Sequence, residues 1–186
     1  MRISNPPDAD IEGITLRQIE PGDCNAWFDY LRLPIVFERT SWNLRSVDDL
    51  LPLVETYLGD SPSSPMRMAV VDESIGQLVG TIGLHTISKV NRSAEVAYDF
   101  SPSHWGRGLA SRLCEAVTAW SFQSLDLHRM QATVLVGNKP SERVLGRCGF
   151  RHEGLLRGFR MVRGVPGDFN IFSRLSTDRA AESANQ

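Results

Sequence analysis

Cysteine is scarce. Cys24, Cys114 and Cys148 are the only three in 186 residues, an odd number without the paired spacing of a zinc site or a disulfide framework. Reduced thiols in a reducing compartment are the simplest expectation. Long apolar runs are missing too: no stretch approaches the roughly 20 residues needed to cross a bilayer. Met1 to Asp10 is polar, carries prolines and acids, and lacks the apolar centre of a secretory signal. There is no basic excess either. The formal net charge is −2 and the pI about 6.1, which argues against binding nucleic acid through a basic face. No linker, repeat or low-complexity block divides the chain, so one domain is expected over residues 13–176, with flexible ends at 1–12 and 177–186. What remains is 41% hydrophobic and 23% charged, ordinary for a globular chain able to bury a core. A soluble cytoplasmic protein is expected, without membrane, direct nucleic-acid or metal partners.

Ile14 to Ile19 alternates apolar and polar residues, as a short strand does. Two helical stretches follow. Asp23 to Leu33 can start at an aspartate cap, and Val47 to Leu58 has Ser46 as cap with Asp49 three positions on. Asp60 to Pro65 is a turn cluster. Met66 to Val71, Gln77 to Ile87 and Ala94 to Phe100, separated by turns at Asp72 to Gly76 and at Lys89 and Asn91, read as an antiparallel meander. A long helix runs from Gly108 to Ser124, with Leu109, Leu113, Ala116, Val117 and Trp120 at helical spacing. Arg129 to Val136 is β-rich, Ser141 to Cys148 a short helix, and Phe150 to Phe159 and Phe169 to Leu175 terminal strands. The order is β, α, α, a four-strand middle region, α, β, α, β, β. Because helices alternate with strands only in the second half, an α/β chain with a mixed sheet is expected rather than a doubly wound one.

The most informative stretch is Tyr98-Asp99-Phe100-Ser101-Pro102-Ser103-His104-Trp105-Gly106-Arg107-Gly108-Leu109-Ala110. A strand ends, glycines turn the chain, and an amphipathic helix begins. Unpaired amides at a helix start, together with the positive end of its dipole, form a phosphate cradle. Gly106 and Gly108 let the backbone approach an anion, and Ala110 keeps the first turn slim. A tight strand-to-helix turn would look the same. Two other phosphate loops are excluded, since there is no GxxxxGK[ST] and no third glycine of a dinucleotide fingerprint.

Trp105-Gly106-Arg107-Gly108-Leu109-Ala110 resembles the acetyl-CoA loop, Q/R-x-x-G-x-G/A, of the GNAT superfamily of N-acetyltransferases. Three further segments match in order. Val90 to Tyr98 is similar to the fourth strand of the branch that acetylates the N-termini of ribosomal proteins. Leu127-His128-Arg129-Met130 resembles the start of its fifth strand, and Asn138-Lys139-Pro140-Ser141 with Leu145 to Phe150 its "N-x-x-S … LGF" segment. The resemblance covers roughly residues 14–175. It implies a mostly antiparallel sheet of about seven strands, splayed between the fourth and fifth, with about four flanking helices. It also implies acetyl-CoA as co-substrate, an amine acceptor such as a ribosomal-protein N-terminus, and a homodimer. Trp105 stands where the superfamily prefers Gln or Arg, and Ala97 replaces a glycine. Asp99 replaces an aromatic residue, and Phe172 stands where this branch has tyrosine; those two bear on the acceptor pocket.

The resemblance implies that the backbone amides of Trp105, Gly106, Arg107, Gly108, Leu109 and Ala110 hold the pyrophosphate, with pantetheine against open backbone groups near Phe100. Arg107 either pairs with a phosphate or is a solvated loop arginine. Asn138 suits a helix cap, compatible with binding the pantetheine amide. Ser141 is implied as donor of a proton or hydrogen bond to the leaving thiolate; a serine facing water is the alternative. On a period-two strand Glu95, Ala97 and Asp99 share one face, so Glu95 could take the amine proton, or simply pair with an arginine. His85 is a second base candidate, and Tyr98 reads as core.

Cys114 and Cys148 read as small core residues, and no Cys/His/acid arrangement supports a covalent acetyl-cysteine route. Direct attack by the amine is expected. Pro34 to Trp42, with Glu38, Phe37 and Trp42, and the hairpin around Arg163 to Asp168 would face the acceptor. A small-amine acceptor would be favoured by an acidic pocket, which Asp48, Asp49 and Glu55 could supply. A non-catalytic acyl-CoA sensor is the alternative of another class.

Overall fold

The protein is described from a computed structural model, in which residues 3, 5–59, 61 and 63–178 are described. Seven strands form one mixed sheet in the order β1-β2-β3-β4-β5-β7-β6. They are β1 (Ile14–Gln18), β2 (Met66–Asp72), β3 (Gln77–Ser88), β4 (Ser93–Phe100), β5 (Arg129–Leu135), β6 (Arg151–Val162) and β7 (Val165–Leu175). All neighbours pair antiparallel except β4 and β5, which are parallel. The middle region thus holds three strands, the three runs of the meander, and not four.

The helices are α1 (Cys24–Leu31), α2 (Pro34–Phe37), α3 (Leu51–Tyr57), α4 (Leu109–Ser124) and α5 (Lys139–Arg147). The expected helix over Asp23 to Leu33 is broken at Leu33, an extended residue (ψ 130°) before Pro34, because a following proline disfavours the helical region. Val47–Asp49 is a 3-10 turn rather than the start of α3. Asp49 accepts the amides of Ser46 and Arg45, at 3.1 and 2.7 Å. The last hairpin is longer than expected, since Arg163 and Gly164 both have positive φ (52° and 85°), the twist a two-residue hairpin turn requires.

Successive residues of β2 separate the two cores. Met66, Met68 and Val70 pack with Leu113 and Val117 of α4, whereas Ala69 packs with Trp27 and Leu31 of α1. The buried stripe of α4 is Leu109, Leu113, Cys114, Val117, Thr118 and Ser121, one step round from the stripe expected, so Ala116 and Trp120 are only half-buried. All three cysteines are buried. Within the polar end expected at residues 1–12, Ala9 is buried and the Ile3 amide donates to Gln18 Oε1 at 3.1 Å. Asp60 and Pro62 of the expected turn, and residues 179–186 of the expected tail, lie outside the described residues.

Candidate active site

The parallel pairing of β4 with β5 is short, matching only Ser93, Ala94 and Glu95 with Arg129, Met130 and Gln131. On its other side β4 stays paired with β3 as far as Phe100. From Val96 onward one edge of β4 is therefore open, and the two strands diverge. A cavity of about 410 Å³ occupies this notch, bounded by Phe100, Trp105, Gly106, Ala110, Asn138 and Ser141. A second cavity, of about 350 Å³, reaches Glu95, His85, Thr133, Arg160 and Phe169. Arg39, Thr40, Tyr98, Asp99, Asn138 and Ser141 border both, so the cavities meet at the start of α5.

The glycine loop closes one end of the first cavity. Gly106 and Gly108 both sit at φ 76°, a left-handed conformation costly for side chains other than glycine's. Among the described residues no amide from Gly106 to Ser111 donates to an acceptor; the first helical bond is Arg112 N to Gly108 O, 3.1 Å. Trp105 departs from expectation, because its amide already donates to Pro102 O (3.1 Å) and its indole N–H to Phe100 O (2.8 Å). The open run of donors is thus Gly106 to Ser111. Leu109 is buried in the core, and Arg107 and Leu109 border a separate cavity behind the loop with His104 and Arg112. Phe100, Trp105, Gly106, Ala110, Asn138 and Ser141 come together; the side chains of Arg107 and Leu109 point elsewhere.

Asn138 caps α5 as its residue type suggests: Oδ1 accepts from Ser141 N at 3.3 Å, and Nδ2 donates to Arg39 O at 2.9 Å. Both ends of its amide are therefore engaged within the chain. The Ser141 carbonyl accepts from Tyr98 OH at 3.4 Å, while the Ser141 hydroxyl makes no hydrogen bond among the described residues. Burial pushes the Tyr98 phenol well above its usual range, so it stays a neutral donor.

Glu95, Ala97 and Asp99 do share a face, but neither carboxylate stands free. Glu95 is 3% exposed, and its Oε1 accepts from Thr133 and from Arg160 at 3.0 Å. Of the two roles expected for Glu95, the structure shows the arginine pairing. His85 Nε2 lies 3.8 Å from the same oxygen. It sits at a bulge where β3 slips against β4, beside Thr86 at φ 53°. Desolvation lowers the His85 pKa, opposed by Glu95 and reinforced by Arg67 and Arg160, so its ring is neutral at pH 7 and able to accept a proton.

Asp99 is a buried hub. Its Oδ1 accepts from Trp27 Nε1 (2.9 Å), Tyr30 OH (2.6 Å) and Thr81 Oγ1 (2.9 Å), and Oδ2 from Arg67. Phe172 is core, its ring tilted against His152 with centroids 5.1 Å apart, and borders neither cavity. Asp48, Asp49 and Glu55, which could have supplied an acidic pocket for a small amine, border neither cavity. Phe37 and Arg163 do meet: the guanidinium lies 4.7 Å from the ring centroid and donates to Phe37 O and Thr40 O. Among the described residues no cluster of three or more His, Cys, Asp or Glu could hold a metal. Arg39, Arg67 and Arg160 escaped the sequence reading, since only the fold brings these distant positions together.

The Acetyltransferase (GNAT) domain family matches residues 14–151. The chain belongs to the GNAT acetyltransferase family. This acetyltransferase is 30% identical over 169 residues to YoaA, an uncharacterised N-acetyltransferase of Bacillus subtilis (strain 168), covering 90% of this chain and 96% of the other. A solved ribosomal-protein-S5-alanine acetyltransferase from Vibrio fischeri superposes with a TM-score of 0.78 at 22% identity, covering 91% and 96% of the two chains. A spermidine N-acetyltransferase from Vibrio cholerae, solved with CoA and spermine, gives 0.76 at 27% identity, covering 89% and 96%. The family's co-substrate is acetyl-CoA, and the acetyltransferase's notch fits it: the cavity ends at Gly106 and Ala110, in a run of amides without an acceptor among the described residues.

Proposed function

We propose that this acetyltransferase transfers acetyl to the α-amine of a protein N-terminus, of the ribosomal-protein kind, by direct attack with both substrates held together. The observation that supports the reading is the join between the cavities, where Ser141 offers a hydroxyl with no partner among the described residues. Acetyl-CoA, when bound, supplies an activated acyl carbon and a thiol leaving group. The amides of Gly106 to Ser111 hold its diphosphate, and the open edge of β4 beyond Glu95 lies along its pantetheine arm. Ser141 gives a hydrogen bond to the departing sulfur. Its place in the first turn of α5 adds the favourable end of the helix dipole. A serine hydroxyl is too weak an acid for full proton transfer at neutral pH to be needed of it.

Amine basicity favours an α-amine. An N-terminal amine of pKa about 7.7–8.0 keeps a sizeable neutral fraction at pH 7, whereas deprotonating a lysine near 10.4 costs about 3.5 kcal/mol more. The second cavity offers little base strength against that deficit. Glu95 is paired with Arg160, and neutral His85, acting directly or through water, is the better proton acceptor. The polyamine reading asks for carboxylates that can hold extra cations, and both carboxylates bordering this cavity already face arginines.

Coenzyme A release measured with a peptide panel, an amine panel and buffer alone tests the reading. Peptide-dependent release supports it; release with polyamines only refutes it. Ser141→Ala should lower kcat with little change in coenzyme A affinity, and unchanged kcat would leave Ser141 only a structural role. The same reading places the enzyme in the cytoplasm, as a domain spanning 13–176 that could pair as a homodimer. Among the described residues no helix is long and apolar enough to cross a membrane.

A further inference from the structure

The charges around the second cavity do not balance. Arg39, Arg67 and Arg160 border it, against Glu95 and Asp99. Asp99 is joined to Arg67, whose other nitrogens donate to Thr81 Oγ1 (2.8 Å) and Ala97 O (3.1 Å). Glu95 is joined to Arg160 through one nitrogen only. Arg39 has neither ion pair nor side-chain hydrogen bond among the described residues, although it is half-buried where the two cavities meet. Its guanidinium lies 4.9 Å from the centroid of the Trp105 ring, and its own carbonyl is tied to Asn138 Nδ2. Stacking on an indole and a fixed backbone hold the cation in place but satisfy none of its five donors.

We infer that Arg39 is a specificity residue that binds a carboxylate on the acceptor, so that the preferred substrate is a primary amine carrying a carboxylate a few bonds away. The inference rests on the proposed attack by an α-amine at this site. A guanidinium fork matches a carboxylate with two parallel hydrogen bonds. The Arg39 carbonyl and the Ser141 amide both bond to Asn138, so a carboxylate held by the guanidinium would keep the amine near the join between the cavities. Trp42, Tyr57, Val134 and Phe169 add apolar and aromatic surface beside polar groups such as Thr40, Ser41 and Thr133, and a charge-assisted bond is stronger beside low-dielectric surface than in bulk water. Two sources share this chemistry: an acidic side chain following the N-terminal residue, and the α-carboxylate of a free amino acid.

The test compares kcat/KM for two pairs, a short peptide beginning Ser-Asp against Ser-Asn, and free serine against serinamide. A preference of about tenfold or more for the acid is expected in one pair, the size of one charge-assisted hydrogen bond, and which pair shows it identifies the source. Arg39→Gln should bring that ratio close to one, and Arg39→Lys should retain part of it, with circular dichroism reporting the fold of both. Coenzyme A affinity, by calorimetry, should shift less than twofold in Arg39→Gln. Equal rates for acid and amide in both pairs overturn the inference while leaving the N-terminal reading standing. A ratio unaltered by Arg39→Gln also overturns it. So does a fivefold loss of coenzyme A affinity, which would assign the guanidinium to the cofactor. Turnover of polyamines alone defeats both readings.

Discussion

Replacing Asp99 by alanine should remove half or more of the protein's stability. The carboxylate has no access to solvent worth the name (7% of the residue is exposed) and answers four donors: Trp27, Tyr30, Thr81 and Arg67. Arg67 is itself only 4% exposed, so Asp99→Ala strands a buried guanidinium, worth about 3–5 kcal/mol. Trp27 and Tyr30 lose the only acceptor they have among the described residues, adding about 1–3 kcal/mol before water enters the vacated space. Domains of this size are typically stable by about 5–15 kcal/mol. Asp99→Asn separates the two contributions, because its oxygen can still serve Trp27 or Tyr30 while the charge on Arg67 stays uncompensated. Adding Arg67→Met to Asp99→Asn removes both charges and should recover part of the loss, a coupling of order 1–3 kcal/mol. Urea unfolding followed by circular dichroism, with tryptophan fluorescence as a second probe, gives each value. If Asp99→Ala lies within 1 kcal/mol of the parent protein, the hub has been misread.

Gly108→Val should weaken coenzyme A binding by tenfold or more in calorimetry, since valine resists φ near 76° and the loop would shift its amides. Gly83→Ala should destabilise by several kcal/mol in the same urea assay: an added Cβ would stand 2.1 Å from Met66 O, and backbone cannot step aside as a side-chain tip can. For pH, kcat/KM should rise about tenfold per unit up to the acceptor amine's pKa near 8. His85, its pKa lowered, stays neutral throughout that range and adds no limb above pH 6.5; a limb there abolished by His85→Gln would contradict the assignment. Arg129 and Ser173 hold the Glu153 carboxyl down at about 2. The unfolded chain therefore binds the proton more readily, and stability present above pH 4.5 is lost as pH falls through 2. Glu153→Gln should flatten that part of the urea-midpoint profile.

The strand, glycine turn and helix from Tyr98 to Ser124 were legible because each signal is local: alternation, two glycines, then helical spacing. The strand count and the splay came from resemblance, since nothing in β4 or β5 read alone says that their pairing stops at Glu95. What the sequence reading left open is long-range. Alternation put Glu95 on a shared face with Asp99, yet could not say that Arg160, from a hairpin 65 residues away, would cover it. It likewise could not foresee that Asp99 would be consumed by Trp27 and Tyr30, from α1. Trp105 is the local exception: its amide belongs to a 3-10 turn over Pro102–His104, and a proline at the head of that turn was there to suggest it.

The three-residue contact between β4 and β5 also has a mechanical meaning. A sheet that is continuous on paper is, at this seam, two plates joined by a short weld with an empty wedge above it. Any long substrate that lies in the wedge and bonds to the bare edge supplies rungs the polypeptide omits, so loading the enzyme should also brace it. Slowed amide exchange along Val96 to Phe100 on adding coenzyme A would register that bracing, and each product release would relax it again.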